Sequence, residues 1–138
     1  MCAIRLASGS DNLTLKIHGR TKADAQDHWG ANWLHCTATA CVGGFHATVE
    51  WQLRNEDLVR FMEALRNVEH SRGEALLATG DGWLDVRVIR DNEDQVEARC
   101  QLVENENSLE FRLPLEKAIL TALIHEVREV IEQYPVLG

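Results

Sequence analysis

The stretch Trp33–Arg54, WLHCTATACV-GG-FHATVEWQLR, sets the architecture of this chain. Gly43-Gly44 between two alternating ten-residue runs is a strong signal for a two-residue β-hairpin turn. Pairing the runs across that turn sorts the side chains by face. One face pairs Val42 with Phe45, Ala40 with Ala47, Ala38 with Val49, Cys36 with Trp51 and Leu34 with Leu53. All of these are apolar. The other face pairs Cys41 with His46, Thr39 with Thr48, Thr37 with Glu50, His35 with Gln52 and Trp33 with Arg54. A slip of one residue would mix the two sets, so the register is well specified.

Upstream, the alternating runs Ile4–Leu6 and Leu13–Ile17 flank a turn-rich Ser8-Gly9-Ser10-Asp11-Asn12 and read as strands. The pattern vanishes from Arg20 to Asn32, which reads as a loop with room for one short helical turn. Downstream, Asn55 is placed to cap a helix, with Glu56 and Asp57 in the first turn, where the helix dipole favours acids. Leu58, Phe61, Met62, Leu65 and Val68 form one stripe at helical spacing, and Gly73 follows the helix end.

The theme then repeats. Ala75–Thr79 is a short strand turned by Gly80-Asp81-Gly82, and Trp83–Ile89 and Gln95–Val103 make a second hairpin. Setting Leu84, Val86 and Val88 against Cys100, Ala98 and Val96 places Asp85 opposite Arg99 and Arg87 opposite Glu97, two favourable cross-strand pairs. Asn105–Asn107 turns into a strand Leu109–Leu113, and Pro114 suits the first turn of a last helix that runs to about Tyr134. The apolar set of that helix is the wider of the two, so it is expected to be the more buried.

These readings predict an α+β domain: about eight antiparallel strands built from hairpins, with two amphipathic helices on one face. They fit a single domain, 1–138, in two halves of about 1–72 and 73–138 with a shared β-hairpin-helix plan. Trp33-Leu34 and Trp83-Leu84 open corresponding strands.

The chain has 138 residues, 45% hydrophobic and 26% charged, with a formal net charge of −8. That balance argues against disorder and against a general nucleic-acid binder, whose footprint is basic. The start, MCAIRLASGS, lacks the apolar core of a signal peptide, and no run reaches the length of a membrane span. Cys2, Cys36, Cys41 and Cys100 have no CxxC spacing. The expectation is a cytoplasmic protein with free thiols and no membrane partner.

No catalytic motif emerges. Cys36 and Cys100 fall on apolar faces, where cysteine behaves as a small hydrophobe. The serines lie in turns or at helix ends, and there is no GxGxxG or Walker pattern. Cys41 and His46 make a cross-strand half-site for a metal. His35 lies six residues from Cys41, about 20 Å along the strand, and cannot complete it. No metal and no cofactor are expected.

The polar face of the first hairpin is the unusual surface. Among its ten residues only Glu50 and Arg54 are charged, whereas Trp83, Asp85, Arg87, Ile89, Gln95, Glu97, Arg99 and Gln101 of the second hairpin include four charges. A face so poor in charge reads as covered, by a partner, by a second copy in a homodimer, or by the 20–32 loop. A small enzyme or ligand binder built on His28, His35 and Glu50 is a further reading.

At Asp27-His28-Trp29-Gly30-Ala31-Asn32-Trp33-Leu34 an acid, a short spacer and Asn-Trp-Leu open a strand. This resembles the WapI-type immunity proteins of bacterial polymorphic toxin systems. The resemblance continues through Gly43-Gly44-Phe45, Leu58–Leu65, Gly73-Glu74-Ala75, Trp83-Leu84 and Tyr134-Pro135-Val136. It implies a non-enzymatic protein that binds and blocks a cognate toxin domain. An acidic balance suits such a role where the toxin is basic. The candidate partner surface is Asp27, Trp29, Asn32, Trp33, His35, His46, Glu50 and Arg54.

Overall fold

The structure is a computed structural model, and it describes residues 2–21 and 28–137. β1 (Cys2–Ser8), β2 (Asp11–Arg20), β3 (Trp33–Val42) and β4 (Phe45–Arg54) form one antiparallel sheet in that order. β5 (Gly73–Ala78), β6 (Leu84–Arg90), β7 (Val96–Glu104) and β8 (Asn107–Pro114) form a second. A single turn, α1 (His28–Ala31), precedes β3, α2 (Asn55–His70) follows β4, and α3 (Lys117–Gln133) follows β8. The expected eight strands and two long helices are present. The strands divide four and four because α2 interrupts the meander and no ladder joins β4 to β5.

Each helix crosses to the other half. α2 packs on β5, α3 packs on β1, and the two helices touch. One continuous core results, running from Ile4, Leu15 and Leu34 through Phe61 and Leu65 to Leu84, Val86 and Val127. The wider apolar set of α3 is reflected in its burial: Leu120, Leu123, Ile124, Val127 and Val130 are buried, against Leu58, Phe61, Leu65 and Val68 of α2, while Ile119, Ile131 and Tyr134 are only partly buried.

The β3–β4 register is the expected one at all ten pairs. The face is less uniformly buried than the pattern implied. Leu34, Cys36, Ala38, Ala40 and Leu53 are fully buried, but Phe45 and Trp51 are 67% and 52% exposed because β4 is the edge of its sheet.

Other expectations need correction. Asn55 does not cap α2. Arg54 holds the cap position without a side-chain cap bond, and Asn55 is the first helical residue, fully buried. Pro114 ends β8, and α3 begins only at Lys117. The β6–β7 register is shifted by two residues, with Val86 opposite Cys100 and Arg87 opposite Arg99. Asp91 fixes it, since its Oδ1 accepts the Glu93 and Gln95 backbone N–H groups at 2.9 and 3.0 Å. A shift of two keeps the faces but removes the expected charge pairs. Arg87, Arg99 and Arg112 now stand in a row across β6, β7 and β8. Trp83 is buried rather than on the open face, and its indole N–H donates to the Gln52 carbonyl at 2.8 Å, tying the two sheets together.

Candidate functional site

The outer face of the first sheet carries the alternate residues of β3 and β4. Trp33, His35, Thr37, Thr39 and Cys41 are half-buried, and His46, Thr48 and Glu50 are exposed. Cross-strand pairing places Trp33 beside Arg54, whose guanidinium carbon lies 5.0 Å from the indole centroid, a cation–π distance. Arg54 also pairs with Glu56, which holds it over the ring. His35 Nε2 is 2.7 Å from Glu50 Oε1. Both partners are exposed, so the pair orients the imidazole more than it stabilises the fold. Cys41 Sγ and His46 Nδ1 meet at 3.3 Å, as the register requires. Among the described residues no group of three or more His, Cys, Asp or Glu side chains converges in a metal-binding arrangement.

His18 joins this face although the sequence reading left it out. The β2–β3 register shifts between Ile17 and Gly19, a bulge made possible by Gly19 at φ +152°. Bulges re-aim side chains. His18 here reaches Thr37 Oγ1 at 2.7 Å, with its ring 5.2 Å from that of His35. Glycine inside a strand pattern was the available signal. Beside these residues lies an open depression of about 470 Å³ lined by Thr21, His35, Glu50, Trp51 and Gln52.

Asn32 does not belong to the surface. It is fully buried, and its amide clamps the chain end: Nδ2 donates to the Leu137 carbonyl and Oδ1 accepts the Leu137 N–H, both at 2.8 Å. Asn55 Nδ2 donates to the Tyr134 carbonyl at 2.9 Å, and Arg20 reaches the Pro135 carbonyl at 2.8 Å. Asn32 is therefore a structural residue beneath the candidate surface. Asp27 lies outside the described residues. Trp29 is in α1.

The thiols on the inner faces are quiet. Burial pushes Cys36 up to about 12, and burial together with Asp85 does the same for Cys100, so both stay protonated at neutral pH. No helix among the described residues is long and apolar enough to cross a membrane. Charge is unevenly shared. Residues 1–72 hold eight acidic and eight basic side chains, and residues 73–138 hold fourteen and six, so the whole net charge belongs to the second half.

A family model described as the immunity protein WapI-like family matches residues 4–135. No curated protein matches the chain. Among solved structures, the crystal structures of Trypanosoma bruciei MRP1/MRP2 share the fold, with a TM-score of 0.55 and 10% identity, covering 95% of this chain and 84% of that one.

Proposed function

The chain belongs to the WapI-like immunity protein family, and on that premise we propose that it binds a cognate toxin domain inside the producing cell and blocks it without catalysis. The family match along almost the whole chain carries this reading. For the contact surface we propose the outer face of β3 and β4: Trp33, His35, His46, Glu50 and Arg54, with Asp27 and Trp29 from the preceding segment. Its support is a sheet face poor in charge with a tryptophan held in place by Arg54. Tryptophan and arginine are the residues most enriched at binding hot spots. The depression at His35 and Glu50 gives an anchoring side chain of the toxin a place to seat.

The acidic second half supplies a second element. A basic toxin would be drawn by that half and held by the near-neutral first half. The test is binding of the purified toxin domain by calorimetry. Trp33→Ala is expected to weaken it by tenfold or more at unchanged fold. Undiminished affinity in both Trp33→Ala and Glu50→Ala would move the contact elsewhere.

A further inference from the structure

We propose that β4 is a self-complementary edge through which two copies of this chain pair antiparallel about Thr48, joining their first sheets into one of eight strands. The proposal does not rest on the toxin reading.

Each sheet has two edges. The β1 edge lies against α3, and Glu126 Oε1 accepts the Arg5 backbone N–H at 2.9 Å. The β5 edge lies against α2. β8 carries Glu110 and Arg112 and ends at Pro114, charges and a proline of the kind that discourage edge pairing. Over residues 45–51 β4 has no proline and a single charged side chain, Glu50. It is ten residues long, its ladder with β3 is unbroken, and Phe45 and Trp51 stand exposed on it.

Backbone parity says which groups are open. Val42 and Phe45 close the two-residue turn as a hydrogen-bonded pair, so the odd residues of β4 bond to β3 and the even ones turn their N–H and C=O outward. Of these, the Gln52 carbonyl is already taken by Trp83. His46, Thr48 and Glu50 remain, and no described residue bonds to their backbone groups. Three outward residues centred on Thr48 define one two-fold axis.

The side chains agree with that axis. Pairing about Thr48 sets Thr48 against Thr48 of the second copy, His46 against Glu50, Ala47 against Val49, and Phe45 against Trp51. The exposed aromatics thus become cross-strand partners at non-hydrogen-bonded positions, where side chains approach most closely. Moving the axis to Glu50 would oppose two carboxylates. Moving it to Val49 would need the Gln52 carbonyl that Trp83 holds. β4 also borders two open depressions of about 360 and 290 Å³, whose walls combine Trp83, Val103 and Leu109 with Asp81 and Glu104 and leave room for side chains of the second copy. The outer face around Trp33 stays open in such a dimer.

Sedimentation of the full chain over a concentration range tests this. The expected result is a reversible dimer for the wild type and a monomer for Thr48→Pro, which removes one outward N–H and no bond to β3. Thr48→Cys, with Cys2 and Cys41 replaced by Ser, should oxidise to a covalent dimer, because Cα atoms of a hydrogen-bonded pair lie about 5.5 Å apart, within disulfide reach. Glu50→Cys should cross-link at least tenfold more slowly. A wild type that stays monomeric, a folded Thr48→Pro that dimerises as well as wild type, or equal cross-linking at positions 48 and 50 would each overturn the proposal. Where Thr48→Pro fails to fold, the cross-linking pair decides.

Discussion

Replacing Asn32 by alanine separates structure from recognition in the segment that carries the family resemblance. The mutation removes two hydrogen bonds of 2.8 Å to the Leu137 backbone and a longer one of 3.4 Å from Asn55. Each is worth about 1 kcal/mol net. Leu137 is 38% exposed, so water can satisfy its freed groups. The loss should therefore be about 2 kcal/mol rather than the larger penalty of a sealed, orphaned pair. For a chain of this length that is a fall in Tm of about 6–8 °C. Thermal and urea unfolding followed by circular dichroism would measure it. A truncation after Tyr134 should cost a similar amount, and the two changes together little more than either alone, because they break the same clamp. Additive losses, or a stability within 0.5 kcal/mol of wild type, would refute the clamp. Loss of partner binding in a fully folded Asn32→Ala would show that the residue acts directly, against its complete burial.

Three further outcomes are expected. Trp83→Phe removes the indole bond to Gln52 and should cost about 1 kcal/mol in urea unfolding. Arg99→Thr relieves the arginine row but also removes the 2.8 Å ion pair from Arg99 to Glu97, so urea unfolding should place it within about 0.5 kcal/mol of wild type, a difference that shrinks as salt is added. Cys36 and Cys100 have folded-state values raised to about 12 from 9.0, so the stability they protect is complete below pH 9 and drains as pH rises towards 12. The wild type should lose about 1.4 kcal/mol per pH unit per thiol across that window, and the Cys36→Ala/Cys100→Ala variant should lie lower at pH 7 but change less between pH 9 and 11.

The parts legible in the sequence were those fixed by local chemistry. Gly43-Gly44 and ten alternating pairs leave one register open to β3 and β4. The β6–β7 hairpin was misread because a two-residue shift preserves both faces. Hydrophobic pattern is blind to that shift, and only the Asp91 turn bonds distinguish the registers. Asn32 was misplaced for a different reason. Its neighbours Trp33 and Trp29 suggested a surface, while its true partner lies 105 residues away, at the chain end. His18 needed the bulge at Gly19, and the exposure of Phe45 and Trp51 needed the knowledge that β4 is an edge.

Asn32-Trp33-Leu34 and Tyr134-Pro135-Val136 sit at distant points of the sequence, yet the fold joins them: Asn32 holds Leu137, Asn55 holds Tyr134 and Arg20 holds Pro135. Such residues keep β2, β3, α2 and the chain end in register whatever the partner is. Residues that choose a partner must be exposed and free to vary without breaking this clamp. In the described part of the candidate surface, His46 and Glu50 are exposed and His35 is half-buried, and none of the three bonds to the clamp. Asn32 and the Tyr134–Leu137 segment are therefore scaffold, and in the proposed reading partner choice falls to the side chains one layer above them.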